Sequence, residues 1–162
     1  MHVFRTSTSF AAAVLLSSNL SPLLAEDWPS WRGPSHNGSR AGENYPTKWS
    51  ADKLAWKVAL PGKGASCPVV WKDRIFLTAP NEGVDTALAF DLDGKQIWKT
   101  EFGAETKAKH MKLGTSSNAS PITDGKGVFV YFKSGTFAAL EMDGKVRWKR
   151  NLAEEFGRQD LY

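Results

Sequence analysis

The polar side chains best placed to bind a ligand lie in one long connection, residues 103–118. This connection carries three lysines and a histidine, which are Lys107, Lys109, His110 and Lys112, and it continues through Gly114 into a threonine, serine and asparagine run. Long loops on a rigid scaffold commonly carry binding residues. A lysine run is also typical of an exposed face that meets only water. We therefore predict a candidate binding loop here, with a solvated insertion as the alternative.

A second group of acidic residues and glycines occurs twice, as Asp91, Asp93 and Gly94 and again as Glu141, Asp143 and Gly144. The first copy suggests a calcium loop, since calcium binds several oxygen ligands, but the ligand spacing of such a loop is absent. An Asp-Gly pair between two apolar runs instead predicts a two-residue hairpin turn of type I′, in which glycine adopts a positive φ. We expect turn residues and no metal site in this part of the chain.

No catalytic motif is present in the sequence. Cys67 is the only cysteine and begins a predicted strand, which favours a small packed residue over a nucleophile. The three histidines, His2, His36 and His110, are too scattered to predict a metal site. Residues 62–66 are glycine-rich but lack the order of a phosphate-binding loop, and we interpret them as a flexible link.

The first 25 residues predict a secretory signal peptide. Arg5 gives a weakly positive start, residues 10–16 form an apolar run, and Ala25 is a small residue at the expected cleavage site. The apolar run is too short for a membrane span, which needs about 20 residues. We expect an exported protein, in the periplasm or outside the cell, with no transmembrane anchor after cleavage. Cleavage lowers the formal net charge from +4 to +3, since Arg5 is the only charged residue removed, and this does not favour a nucleic-acid partner.

The rest of the chain contains an internal repeat. Residues 88–99 align with residues 138–149 at an offset of 50, so that an alanine, an acidic residue, Asp-Gly-Lys and Trp-Lys all coincide. Residues 67–77 align with residues 120–130 at an offset of 53 through a small residue, a proline and a later apolar trio. Each copy predicts four short strands, and four-stranded units at this period are typical of β-propeller blades.

We therefore predict an all-β fold, a partial β-propeller with two four-stranded blades and one N-terminal strand of a further blade, preceded by the signal peptide. The expected segments are the signal peptide at 1–25, a leader at 26–52 and propeller repeats at 53–162. Within the repeats we expect the single strand at 53–60 and the blades at 65–101 and 119–152. Because closing a propeller takes about four blades, the ring is expected to be incomplete at the C-terminus.

Three tryptophans, Trp56, Trp98 and Trp148, occupy the same place in successive copies of the fourth strand. Each indole offers a large flat surface for packing against a neighbouring blade. We predict that these tryptophans, together with the turn residues named above, dock one blade on the next.

The leader carries another aromatic and basic group, Trp28, Trp31 and Arg32. These residues form either a binding patch or a clamp that seals the propeller. The clamp is the favoured interpretation.

The segment Ala-Phe-Asp-Leu-Asp-Gly-Lys-Gln-Ile-Trp, residues 89–98, resembles the tryptophan-docking motif of pyrroloquinoline-quinone-like (quinoprotein-type) β-propellers. Residues 139–148 match it with Glu141 in place of the aspartate, and both turns are one residue shorter than the family's commoner Thr-Gly-Lys form. Residues 27–34, with Gly38, resemble the start of exported bacterial members. The resemblance covers residues 27 to about 152 and implies the propeller fold.

For activity, the resemblance implies two alternatives. The family includes outer-membrane assembly factors and sensor domains, which implies a binding or scaffold module for a protein or small-molecule ligand on a propeller face. It also includes quinone-dependent alcohol and polyol dehydrogenases, which place an adjacent cysteine pair above the cofactor and hold calcium with carboxylates. Because this chain has one cysteine, pyrroloquinoline quinone and calcium are expected only if further blades supply the site. The binding module is the favoured interpretation.

Overall fold

A computed structural model describes residues 27–42, 45–107 and 114–157. The described residues form eight strands, one 3-10 turn at Ala51–Lys53 and one short helix, α1, at Leu152–Phe156. The first four strands are β1 (Val69–Trp71), β2 (Arg74–Asn81), β3 (Val84–Asp91) and β4 (Gln96–Ala104). The second four are β5 (Ile122–Thr123), β6 (Gly127–Tyr131), β7 (Thr136–Glu141) and β8 (Val146–Asn151).

The strands form two antiparallel sheets, each in chain order, which we call blade 1 (β1–β4) and blade 2 (β5–β8). Hairpin connections link consecutive strands within each blade, so every strand lies beside its neighbour in sequence. The expected fold class, an all-β partial β-propeller, is confirmed by this architecture and by the family match reported below. The residues of the expected signal peptide lie outside the described part of the chain.

The apolar core lies between the two blades. Alternation along β3 sends Ala87 and Ala89 to the face that packs on blade 2, while Leu88 and Phe90 lie on the opposite face. Blade 1 adds Val69 and Phe76 to the shared cluster, and blade 2 contributes Val128, Val130, Phe132, Ala138 and Leu140. The small alanines of β3 let large side chains of blade 2 approach closely, so the two sheets share one core.

A tight hairpin joins β2 and β3. Pro80 interrupts the apolar pattern and favours an early strand end, yet it pairs with Asp85 in the ladder, and β2 continues to Asn81. The turn itself is Glu82-Gly83, with φ of +50° and +85°. Two successive positive φ values are what a type I′ turn requires, so this turn type occurs at residues 82–83.

The type I′ turn predicted at Asp93-Gly94 is wrong. Gly94 has a φ of +81°, but Asp93 does not lie in the positive-φ region. The Gly94 amide donates to the Asp91 carbonyl at 3.1 Å, and the Asp91 amide donates to the Lys95 carbonyl at 2.9 Å. These bonds define a three-residue loop in which the glycine forms a bulge. A separate register shift lies between Ala89 and Phe90, where Ile97 of β4 is the extra residue. Gly144, with φ of +88°, makes the equivalent turn in blade 2.

The strand expected at 53–60 pairs with no other strand in the described structure. The 3-10 turn ends at Lys53, and residues 54–60 have no ladder partner. A strand needs a neighbour to satisfy its backbone amides and carbonyls, so this strand stays a prediction. No helix among the described residues has both the length and the apolar character needed to cross a bilayer.

Candidate functional site

Trp98 joins blade 1 to blade 2 by two contacts. Its indole N–H donates to the Met142 carbonyl at 3.0 Å, and its ring covers Gly144, where a Cβ atom would lie 2.6 Å from the ring. The ring also lies 5.8 Å from that of Phe76, which belongs to the shared core. Gly144 is therefore needed for its positive φ and also for the space that the indole occupies.

Trp56 makes the same arrangement one step earlier in the chain. Its indole N–H donates to the Leu92 carbonyl at 2.6 Å, and a Cβ atom at Gly94 would lie 2.7 Å from its ring. Trp56 therefore contacts the turn glycine of blade 1 in the same way that Trp98 contacts the turn glycine of blade 2. A side chain from the segment before blade 1 occupies the place that the repeat assigns to the last strand of a preceding blade.

Trp148 lies in β8 with one face open to solvent. Its ring contacts Phe137 edge-on at 5.1 Å and Phe129 at 6.4 Å, and 37% of the residue is exposed. Three further apolar residues of blade 2 are also exposed, namely Ile122, Tyr131 and Val146. The described residues place no glycine turn beneath Trp148, so its docking role stays a prediction.

The repeated acidic residues hold turns and strand ends. In blade 1, Asp91 Oδ1 accepts hydrogen bonds from the amides of Asp93 and Lys95, at 3.0 and 2.8 Å. In blade 2, the equivalent amide is that of Lys145, and it donates to Asp143 Oδ1 at 3.0 Å. Asp93 is itself exposed in the turn.

Glu141, which replaces the aspartate of the first copy, has a different partner. It forms a two-bond ion pair with Arg147, at 2.9 and 2.7 Å. Hydrogen bonding from Arg147 lowers the pKa of Glu141 below its usual value. The longer side chain therefore reaches across to the adjacent strand β8 and no longer caps its own turn. No group of three or more metal-binding side chains occurs in the described residues.

The leader binds the innermost strands of both blades. Trp28 and Val70 exchange two backbone hydrogen bonds, at 2.8 and 2.9 Å, along the free edge of β1. The Pro29 carbonyl then accepts a bond from the Thr123 amide of β5 at 3.0 Å. Asp27 Oδ1 accepts another from the Lys72 amide at 2.5 Å. Trp28 thus has the geometry of the clamp that the sequence favoured.

A cavity of about 630 Å³ lies between the leader and the entries to β1 and β5. Its walls are Ser30, Trp31, Arg32 and His36 from the leader, Ala65 and Cys67 from blade 1, and Asn118, Ala119, Ser120 and Ile122 from blade 2. The two blades meet here through a hydrogen bond from the Cys67 amide to Ser120 Oγ at 2.8 Å. These two residues align in the repeat, so the cavity lies where equivalent strand entries converge.

Trp31 and Arg32 give this cavity its chemical character. The Arg32 guanidinium lies 4.7 Å from the centroid of the Trp31 ring, a cation–π contact that fixes the charge beside an aromatic surface. Trp31 is nevertheless 59% exposed. The cavity therefore offers a cation, an open indole and the apolar side chain of Ile122 to a ligand. Such an arrangement can bind a partner. In the same wall Ser30 Oγ lies 3.5 Å from His36 Nδ1 and donates to the Gly33 carbonyl at 3.1 Å.

The predicted binding loop is described only in part. Lys107 is exposed at its start, while Lys109, His110 and Lys112 lie outside the described residues. Sequence reasoning named Trp31 and Arg32 but missed the cavity walls supplied by Cys67, Ser120 and Ile122. The repeat alignment of Cys67 with Ser120 was the available signal, because equivalent positions of neighbouring blades lie side by side.

Two sheets of four strands, with a tryptophan of one docked on a turn glycine of the next, define a repeat protein of the β-propeller class. The sequence model of one family of pyrroloquinoline-quinone-like repeats, described as outer membrane protein assembly factor BamB, matches residues 37–162. Because the match spans well over half of the chain, the chain belongs to this family, and the resemblance found in the sequence is confirmed. A search of curated proteins found no match to this chain.

Proposed function

We propose that this protein is an exported β-propeller that binds another protein in the periplasm or cell envelope and acts there as a scaffold. The observation that carries the proposal is the cavity beside the leader, where Trp31 and Arg32 are stacked and open to solvent. Tryptophan and arginine are enriched at the energetic centres of protein interfaces. The partner's complementary feature would be an acidic side chain next to an apolar one.

The anchoring of the leader supports a binding role. Backbone bonds from Trp28 and Pro29 to both blades hold the chain immediately before Trp31. A surface that is ordered before the partner arrives loses less conformational entropy on binding. The leader would therefore act as a preformed recognition segment as well as a clamp.

The family description supports the cellular setting. It names an outer membrane protein assembly factor, and a scaffold that contacts other envelope proteins fits that description. Export rests on the signal peptide predicted at 1–25, and a location in the periplasm or outside the cell would follow from export.

Photo-crosslinking in the native host tests this proposal. A photoreactive residue at Ile122, which lines the cavity, is expected to form an adduct with a discrete protein, and Arg32→Ala or Trp31→Ala is expected to abolish the adduct. The matched control is the same photoreactive residue at Ile97, an exposed position of β4 that lies outside the cavity. Equal adducts from both positions, or an adduct unaffected by the two substitutions, would count against the proposal.

A quinone-binding and electron-acceptor assay tests the dehydrogenase alternative. The full chain, incubated with pyrroloquinoline quinone and calcium, is expected neither to bind the quinone nor to reduce an artificial electron acceptor with alcohols. Turnover in this assay would replace the scaffold proposal with the dehydrogenase.

A further inference from the structure

The chain that precedes blade 1 exposes a group of large apolar side chains. Every residue from 45 to 61 is exposed, and Trp49 is 77% exposed, Tyr45 56% and Leu54 51%. Val58 and Leu60 are exposed beside them. The one regular element of this stretch is the 3-10 turn at residues 51–53, which buries no residue. Exposed apolar side chains that occur together mark a site of interaction with a protein or a membrane.

Lysines alternate with these apolar side chains along the same stretch. Residues 45–63, which we call the basic aromatic segment, contain four lysines and a single acid, Asp52, so their formal charge is 4 − 1 = +3. The lysines are Lys48, Lys53, Lys57 and Lys63. None of the four forms an ion pair with another described residue. The segment therefore offers positive charge and apolar surface together.

Blade 1 holds the basic aromatic segment at two points. The Trp56 indole donates to the Leu92 carbonyl at 2.6 Å. Near the other end, Gly62 passes so close to β2 that a Cβ atom there would clash with the Pro80 carbonyl oxygen. A segment fixed to the blade in this way loses less conformational entropy on binding, and it sets the orientation of the protein on the surface that it binds.

The composition of the segment distinguishes a membrane from a protein partner. Lysine is depleted at protein interfaces, whereas tryptophan and tyrosine beside lysine are typical of chains that lie at the level of lipid headgroups. A lysine there keeps its aliphatic stem on apolar surface while its ammonium reaches the lipid phosphates. The peptide groups of residues 54–60 have no ladder partner. They need water, so the segment fits the headgroup region and does not fit the hydrocarbon.

We infer that the basic aromatic segment attaches the protein to the surface of a membrane that contains anionic phospholipid. The side chains of Tyr45, Trp49 and Leu54 enter the boundary between headgroups and acyl chains, and the lysines contact the phosphates. Each lysine near such a surface strengthens binding about fivefold, and salt weakens this attraction. The segment is separate from the cavity at Trp31 and Arg32, so this inference does not depend on the proposed function.

Flotation of the full chain with lipid vesicles tests the inference. The chain is expected to float with vesicles of phosphatidylglycerol and phosphatidylcholine, and to remain unbound with vesicles of phosphatidylcholine alone or in high salt. Lys48→Gln and Lys53→Gln are each expected to weaken binding about fivefold. The matched control is Lys149→Gln, an exposed lysine of β8 outside the segment, which is expected to bind like the original chain.

Trp49→Ser tests the insertion of the ring separately from the charge. Because Trp49 is exposed, the variant is expected to keep the urea midpoint of the original chain while its binding to the anionic vesicles weakens about tenfold. Trp31→Ser, which removes another exposed indole, is expected to bind the vesicles normally.

Three results would overturn the inference: no binding to anionic vesicles, equal binding to neutral and anionic vesicles, or the same loss in Lys149→Gln as in the segment variants. Self-association of the chain that Trp49→Ser abolishes, without any vesicle binding, would assign the segment to a second copy and would overturn the inference as well.

Discussion

The contact between Trp98 and Gly144 combines an indole hydrogen bond, ring packing and a left-handed backbone at one point. Gly144→Ala tests whether the ring contact matters beyond the backbone. Gly83 provides the control, because its φ of +85° is almost the same as the +88° of Gly144, while a Cβ atom there would meet nothing within 4 Å. We expect Gly83→Ala to cost about 1–2 kcal/mol from the positive φ, and Gly144→Ala to cost a further 1–3 kcal/mol or so from the clash. If urea denaturation gives the same loss of stability for both variants, the Trp98 indole moves aside without an energetic cost.

Removing the tryptophans themselves is expected to distinguish the covered ring from the open one. Trp98→Ala is expected to lower the free energy of unfolding by about 3–5 kcal/mol, as for other buried aromatic truncations. Trp148→Ala is expected to cost clearly less in this chain, since one face of Trp148 is already exposed. Denaturation midpoints of the two variants, measured under one condition, check this order. A Trp98→Ala loss below about 1 kcal/mol would mean that the ring is not packed.

The raised pKa of Asp85 predicts that part of the stability is lost as the pH rises. Its folded-state pKa of about 6 lies above the ordinary 3.8, so the folded chain keeps a proton that the unfolded chain has released. Stability from this group is fully present below about pH 4 and is lost as the pH rises through 6, by up to about 3 kcal/mol. Acidic groups with lowered pKa values, such as Glu141, instead lose their contribution to stability as the pH falls.

The check is the difference in unfolding free energy between the original chain and Asp85→Asn from pH 5 to pH 7. The original chain is expected to lose stability over this range relative to the variant, and the histidines, common to both, cancel. A difference that stays constant with pH would show that Asp85 keeps an ordinary pKa.

At the scale of the elements, deleting the leader tests whether it clamps the inner strands. Its backbone bonds protect the amides of Val70 and Thr123, so removing residues 27–42 is expected to speed hydrogen exchange at those two amides. Amides in the middle of β3 lie between two strands and are the internal control. Unchanged exchange at Val70 and Thr123 would show that the leader does not clamp the inner strands in solution.

The strands were largely predictable because the repeat supplied two copies of each pattern. Strand β2 continues through Pro80, which occupies a ladder position opposite Asp85. The turn at Gly94 was mistaken by one residue, since Asp-Gly suits both a two-residue loop and a three-residue loop with a bulge. Local sequence does not distinguish these loops, because the register of β4 selects between them.

The candidate site was less predictable for a different reason. Trp31 and Arg32 were visible as an aromatic and basic pair, but the cavity depends on the leader crossing from β1 to β5. No sequence pattern indicated the raised pKa of Asp85, because the side chains that influence it in addition to burial, Ser134, Ser116 and Glu105, are distant in sequence. Both features arise from packing between blades, and single-sequence patterns report mainly on the faces within a blade.

On the scale of the whole molecule, the open face of blade 2 bears directly on the ring that the repeat predicts. Tyr131 is 43% exposed and Trp148 is 37% exposed on this face. Blade 1 has no such face toward blade 2, because the shared core fills it. A further blade would cover this surface in the same manner, and that expectation stays a prediction.

The most direct test of the account follows both blades in one unfolding experiment. Hydrogen exchange of the β3 and β7 amides across a urea series reports the opening free energy of each blade separately. Because Trp98 and one apolar cluster join the sheets, both groups of amides are expected to share one opening free energy, and Trp98→Ala is expected to lower it in both. Two distinct opening free energies in the original chain, or a Trp98→Ala effect confined to blade 1, would contradict the claim that the docked tryptophan makes the blades one unit.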